Sequence, residues 1–396
     1  MVPTKIRPPE VAVKNFFAPG EKKLRIVELI NVRWWNACAE YGFNLALGLH
    51  RRGHRVIVVG LPGSPVLRKA RQVGLPWRAM EMNSRHPGKL LGSLMALVSL
   101  IRRQGIQVID AHRAEAHLFA ALASLSLSRR VVVIRTRGDV RLPKNHLLNK
   151  FLHRHLTDAL VLPAEVMRSP VSERLGKFPD DKMWVIPPGV DLRKFSKHTS
   201  PEKGRRALGW PEKEPVVGIV GRLSPVKGHR VFLEAARLVL RVKPGVAFVI
   251  VGQDAQMKST DLKGLVERLG LAQRVRLVGF VSEVSSLIGA FDVAVVASTG
   301  SEVICRVALE HMAMARPVVG TQVNAIPEVV AHGSTGLLVP PGDAQAMSEA
   351  ILSLLQDPQK ARVFGNAGRK RVVERFTLDH QACRTERLYR RLLEDR

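Results

Sequence analysis

Short runs rich in Val and Ile alternate with stretches of helical spacing along the chain. Residues 24–30 (Leu-Arg-Ile-Val-Glu-Leu-Ile) read as a buried strand, 37–52 as a helix stopped at Gly53, and 55–60 as the next strand. Strand, helix, glycine stop and strand make a βαβ unit, whose strands run parallel because the chain crosses back over the sheet between them. Further strands fall at 107–111, 131–135, 159–162 and 183–186, with helices at 89–104 and 114–127. Pro187-Pro188-Gly189-Val190-Asp191 and the polar stretch to Glu214 then interrupt the pattern as a linker. A second series follows, with strands at 216–220, 247–251, 275–278, 293–296, 317–319 and 336–339.

A chain of 396 residues fits two domains of roughly 200 residues each. The expected fold is α/β: two Rossmann-like, doubly wound domains at 1–190 and 191–375, with a ligand cleft between them. The basic tail, 376–396, is expected to be a helix packing back across the domains.

Charge narrows the choice of partners. The chain carries 62 Lys+Arg against 34 Asp+Glu, a net of +28. Residues 1–200 hold 34 basic and 14 acidic side chains, a net of +20, and the remainder holds +8. Such a surplus attracts polyanions, whether nucleic acid, an anionic bilayer face or a phosphorylated glycolipid. Nucleic-acid binding would call for a basic groove interleaved with aromatics or a recognisable module, and with aromatics at 5% neither is visible. Cys38, Cys305 and Cys383 are too few and too scattered for a disulfide framework or a zinc site, which points to a reducing, cytoplasmic setting.

The first residues, with Pro3, Pro8, Pro9, Pro19 and Gly20, read as an extended leader without the apolar core of a secretion signal. The longest apolar stretch, 90–101, is too short to span a bilayer and reads as a core helix between two strands, an interfacial helix being the other reading. The expected location is the cytoplasm, with peripheral attachment to the inner face of the cytoplasmic membrane.

Two constellations in the second half carry chemistry. The strand at 216–220 runs into Gly221-Arg222-Leu223-Ser224-Pro225-Val226-Lys227-Gly228-His229 and then a helix. A Walker loop would end in Gly-Lys-Ser/Thr, so this is not one. It nevertheless sets a guanidinium and an ammonium at a strand-to-helix turn, where a diphosphate sits in such sheets. Further on, Ser301-Glu302-Val303-Ile304-Cys305-Arg306-Val307-Ala308-Leu309-Glu310 places two carboxylates eight apart, expected at a helix start and about two turns in, on one face. The bland alternatives are a favourable N-terminal charge for Glu302 and a solvated face for Glu310.

Gly221-Arg222-Leu223 through Lys227-Gly228 is similar to the G-R-L-x-x-x-K-G loop of the retaining, GT-B-fold glycosyltransferases of family 4. Ser301-Glu302 through Glu310 resembles their S-E-x7-E signature, continued by Arg316-Pro317-Val318-Val319-Gly320-Thr321, Ile326-Pro327-Glu328 and Gly333 through Asp343. The resemblance extends to cell-envelope and lipopolysaccharide-core members and covers nearly the whole chain in order. It implies a nucleotide-diphosphate sugar donor in the C-terminal domain and an acceptor in the N-terminal one. Gly221, Arg222 and Lys227 would hold the diphosphate, Glu302 the donor sugar and Glu310 the ribose, with the base near Phe280. It implies no cofactor and no metal, since the Arg/Lys pair neutralises the leaving group. The only neighbouring aspartates, Asp180-Asp181, do not form a D-x-D motif.

This chain departs from the family pattern at three places. Val303-Ile304-Cys305 stands where the family has Gly-Phe-Gly, which sets Ile304, Cys305 and Arg306 against the donor. Arg33-Trp34-Trp35-Asn36-Ala37 replaces a Gly-Gly loop, making Trp35 and Asn36 acceptor candidates. Arg135-Thr136-Arg137-Gly138-Asp139 stands where many members carry a His, so Arg137 or Asp139 would face the reacting centre, with His112 a second candidate. The implied function is retaining, metal-independent transfer from a nucleotide sugar to an anionic, membrane-associated glycolipid or other glycan. A non-catalytic GT-B relative that binds nucleotide or glycan is the alternative.

Overall fold

The computed structural model describes residues 22–127, 131–211 and 214–395; the proline-bearing leader lies outside them. The chain divides into two compact units. One runs up to Gly189 and resumes at Leu378, and the other is Val190–Thr377.

The first unit is built on a seven-stranded parallel sheet of β1 (Arg25–Ile30), β2 (Arg55–Gly60), β3 (Trp77–Ala79), β4 (Val108–Ala111), β5 (Val132–Thr136), β6 (Ala159–Leu162) and β7 (Met183–Val185). Their order is β3-β2-β1-β4-β5-β6-β7. The chain winds outward from β1 in one direction and then returns to add β4 on its other side, so the order reverses between β1 and β4. Apolar clusters cover both faces, one around Ile26, Leu45, Leu49 and Tyr389 and the other around Val27, Leu97, Ile109 and Phe119. The near-continuous burial of β1, β4, β5 and β6 is what a parallel sheet covered on both sides demands.

The second unit carries β8 (Val216–Val220), β9 (Ala247–Val251), β10 (Val275–Val278), β11 (Val293–Val296), β12 (Val318–Thr321) and β13 (Gly336–Val339). All are parallel, in the order β10-β9-β8-β11-β12-β13. The reversal here falls between β8 and β11. Ligands of such sheets bind outside the strand C-termini at that reversal.

Two expectations are corrected. The strand Trp77–Ala79 is additional, a three-residue, fully exposed edge whose shortness left no apolar run to read. The helix Pro87–Gln104 does lie between two strands, yet it buries only Leu97 and Ile101 and leaves Leu91 and Met95 exposed. The C-terminal helix, Leu378–Glu394, follows the second unit in the chain and belongs to the first. It packs on Ala37–Arg51 so closely that a Cβ on Gly48 would stand 2.9 Å from that of Ala382. Arg52 bonds Asp379 at 2.9 Å and Glu386 at 2.8 Å, and Gly189 N donates to Gln381 Oε1 at 2.9 Å.

Candidate active site

Both charged constellations of the second unit fall at the β8/β11 reversal. After β8 the chain passes Gly221 and Arg222 and makes a short 3-10 turn, Pro225–Lys227. Gly228, at φ 69°, then opens the helix His229–Val242. A Cβ on Gly228 would lie 1.9 Å from the carbonyl oxygen of Ala297, so only glycine lets this turn close against the end of β11. Thr299 N completes the closure by donating to Val226 O at 2.9 Å. The same close approach recurs at Gly252, whose Cβ would stand 1.8 Å from Gly221 O. The turn is therefore fixed by backbone contacts. Arg222 is left exposed, with its carbonyl accepting from His229 Nε2 at 3.1 Å.

Lys227 reaches the carboxylate of Glu302 and forms an ion pair with it. Ser298 Oγ donates to the same oxygen at 2.8 Å, while Glu302 N donates to Asn324 Oδ1 at 3.2 Å and Glu302 O accepts from Ala325 N at 2.9 Å. Glu302 was expected to open a helix. It lies instead in the loop before Arg306–Ala313, because Cys305 takes a left-handed conformation (φ 46°) and delays the helix. Ser301 (φ 59°) and Asn324 (φ 44°) adopt the same region. Three side-chain-bearing residues in left-handed backbone around one carboxylate mark a loop held in place by its surroundings, a pattern that clusters at functional sites.

Ile304, Cys305 and Arg306 were expected against the donor, and the first two follow Val303 in the loop. Val303, Ile304 and Cys305 are all buried, and burial pushes the Cys305 thiol well up. Their bulk goes into the protein interior. Glu310, 1% exposed, sits within Arg306–Ala313 and is paired at 3.3 Å with Arg306 Nη1, one helical turn before it. Arg306 remains partly open to solvent. Phe280 follows β10 and is 75% exposed.

The first unit looks different at its β1/β4 reversal. Asn36 caps the helix Ala37–Arg51 by accepting from Ala39 N at 2.9 Å. Trp35 is half-buried, edge-on to Phe43, and donates from Nε1 to Glu40 at 3.0 Å. Lys69 lies 4.4 Å over its ring, whereas Trp34 is exposed. His112, offered as an acceptor candidate, is 1% exposed and bonded to Glu28 at 2.7 Å. Around it, Tyr389 OH donates between Asp110 (2.9 Å) and Glu28 (3.2 Å), and Thr136 donates to Asp110 at 2.9 Å.

Glu28, Asp110 and His112 bring one ligand atom each within 4.8 Å of one another. Hydrogen bonds to Tyr389 and Thr136 already engage these carboxylates, and the group forms a buried hydrogen-bonded knot. Burial, reinforced by Asp110, pushes Glu28 up to about 7. Burial pulls His112 down, but Asp110 and Glu28 outweigh it and leave the imidazole raised. No sequence reading anticipated this knot, although its signal was present as a Glu and an Asp inside apolar strands.

Arg137 is nearly buried, which lowers it. It lies 3.4 Å from Asp139 and also reaches the carbonyl of Arg141. Asp139 is partly open and 4.0 Å from Arg113. Arg135, fully buried, donates to Ala111 O at 3.0 Å and is lowered by burial and by Arg137 to about 10.

Residues 200–371 match the family model "Glycosyl transferases group 1", and residues 39–194 match "Glycosyltransferase Family 4". The D-inositol 3-phosphate glycosyltransferase of Segniliparus rotundus is 31% identical over 257 residues, covering 64% of this chain and 55% of its own. The lipopolysaccharide core biosynthesis mannosyltransferase LpsB of Rhizobium meliloti is 28% identical over 250 residues, 62% of this chain and 68% of its own. The chain thus spans little more than half the length of the first of these relatives. Among solved structures, Anabaena HepE in complex with UDP and glucose superposes with a TM-score of 0.78 at 22% identity, over 92% of this chain and 99% of that one.

Proposed function

We propose that the chain, whose two halves match glycosyltransferase family models, is a GT-B glycosyltransferase that transfers a sugar from a nucleotide-diphosphate sugar to a lipid-borne glycan, with retention of configuration and without a metal. The observation that carries this reading is the Lys227–Glu302 pair, fixed by the Gly228 turn beside the β8/β11 reversal. Arg222 and Lys227 take the diphosphate and stabilise the charge that grows on it as the sugar departs. Glu302, held by Ser298 and Asn324, receives the sugar's hydroxyls, and Glu310 receives the ribose. The acceptor hydroxyl attacks the face the diphosphate is leaving and gives its proton to the departing phosphate oxygen. The protein then needs no nucleophile; it supplies position and charge.

Arg137 and Asp139 are the first unit's groups for the acceptor, with Asp139 open enough to meet it. HepE was solved with UDP, and LpsB is named for a lipopolysaccharide core; these names and the first half's surplus of positive charge favour a uridine donor and an anionic glycolipid acceptor. The burial of Val303, Ile304 and Cys305 weighs against one ground for the non-catalytic alternative, the other being the replaced His.

The test incubates purified protein with nucleotide sugars and a glycolipid extract in the presence of a chelator, following nucleoside diphosphate release and the anomeric configuration of the product by NMR. Chelator-resistant release with a retained anomer is expected. An inverted product, or release that requires added metal, overturns the mechanism.

A further inference from the structure

The eighteen residues between Asp139 and Asp158 contain Arg141, Lys144, Lys150, Arg154 and three histidines, and no acidic residue. They form the loop after β5 and the helix Leu147–His155. The helix is anchored from one side only. Leu152 and His153 are buried, with the His153 ring edge-on to His117 at 4.8 Å and its Nδ1 bonded to Asn149 O at 2.8 Å. The opposite side carries Leu147 at 85% exposure, Leu148 at 69% and Phe151 at 51%, and Leu142 in the preceding loop is exposed at 47%.

Positions 147, 148 and 151 share one face of a helix, and Arg154 continues it one turn on. Large apolar side chains grouped on one exposed face and rimmed by polar residues mark an interaction surface. Among the described residues, Arg141, Lys144, Lys150 and Arg154 form no ion pair with a carboxylate, so the patch is apolar at its centre and positive around it. The apolar stretch 90–101, for which an interfacial helix was the second reading, offers less: Leu91 and Met95 are open on a helix that is otherwise half-buried.

We infer that the helix Leu147–His155 and the loop before it are a docking element for an anionic phospholipid bilayer. Leu142, Leu147, Leu148 and Phe151 enter the headgroup–acyl boundary, and Arg141, Lys144, Lys150 and Arg154 lie among the lipid phosphates. Charge complementarity selects this occupant: a protein partner of the same apolar character would not need a rim of four cations without carboxylate partners, whereas an anionic leaflet does. Of the four, Arg154 also donates to Gly176 O at 2.9 Å. The element begins immediately after Arg137 and Asp139, so it would bring the acceptor-facing residues to the surface from which a lipid-borne acceptor projects. In that respect the inference deepens the acceptor reading above and rests on it; the bilayer contact itself stands on the patch alone.

The experiment measures partition of the full-length protein onto phosphatidylcholine vesicles with and without phosphatidylglycerol, in parallel with calorimetric binding of UDP. Wild type should partition onto the anionic vesicles and weaken with added salt. The variant Leu147→Ser/Leu148→Ser/Phe151→Ser should lose about 50-fold or more in partition. The variant Lys144→Gln/Lys150→Gln/Arg154→Gln should lose about fivefold per charge and keep little salt dependence. All six side chains lie at the surface or its edge, so UDP binding should be unchanged in both variants, which separates lost docking from lost folding.

A fluorophore on Leu147→Cys in a Cys383→Ser background should shift to the blue on anionic vesicles, reporting burial in the bilayer. Vesicle binding equal in wild type and both variants would overturn the inference while leaving the donor reading intact. So would a wild-type dimer in sedimentation velocity that the serine variant dissociates, since the patch would then be covered by a second copy. Vesicle binding as expected with no nucleotide binding would sustain this inference and sink the donor reading instead.

Discussion

The two sheets place charge at the same topological position and use it in opposite ways. In the first unit Glu28 and Asp110 lie within β1 and β4, paired across the sheet and fully buried. Water is gone, so Glu28 holds on to its proton, and the two carboxylates spend their hydrogen bonds on His112, Thr136 and Tyr389. In the second unit Lys227 and Glu302 lie beyond the ends of β8 and β11, on loops that backbone contacts keep rigid and that remain partly hydrated. A carboxylate inside a covered strand serves the fold, whereas the proposal assigns the one past the strand end to a ligand. Depth along the strand, more than residue type, separates the two roles.

The largest expected effect breaks that comparison on its active side. Lys227→Ala should lower kcat at least about 100-fold, as removal of a preorganised charge partner does; near-normal turnover would mean that the pair is structural after all. Glu310→Ala should raise the donor KM about 10-fold or more with less change in kcat, because the ribose contact is made in ground and transition states alike. An unchanged donor KM would remove Glu310 from the site.

The structural side is tested by Tyr389→Phe. It takes the hydroxyl from two buried carboxylates and should cost about 1–3 kcal/mol in unfolding free energy with donor binding intact. A loss of donor binding at unchanged stability would contradict the division of roles.

The smallest effect is on pH dependence. Glu28 rises from its ordinary 4.5 to about 7 in the folded unit, and His112 is also raised. The native state therefore binds more protons than the unfolded chain, and stability falls as pH rises from about 4.5 through 7. Glu28→Gln should flatten that slope in thermal unfolding. Glu386 works the other way: hydrogen bonds from His54, Arg52 and Arg390 outweigh its burial and hold it at about 2, so its contribution is lost only as pH falls below 4.5.

Much of the fold was legible because parallel strands covered on both faces must be near-continuous runs of apolar residues, and twelve such runs were long enough to read. The edge strand Trp77–Ala79 was not, since an exposed edge needs no apolar run. The site was legible as chemistry and misread as geometry. The Arg222–Lys227 turn and the Glu302/Glu310 spacing stood out, yet nothing local in Val303-Ile304-Cys305 announces a left-handed residue that starts the helix at Arg306. That conformation is imposed by packing. The knot around Glu28 was hidden for another reason: its members come from β1, β4 and a helix near the C-terminus, and Tyr389 lies 279 residues from Asp110 in sequence. The basic, acid-free stretch after Asp139 was plain to count, but only the structure shows that Leu147, Leu148 and Phe151 face outward within it.

The measurement that bears most directly on the central claim is calorimetric titration of the purified protein with UDP-, GDP- and ADP-sugars in the absence of metal, repeated with Glu310→Ala. The account predicts that one nucleotide class binds to wild type and that the substitution abolishes or sharply weakens that binding. No binding to any member of the panel, or binding that Glu310→Ala leaves untouched, would contradict it.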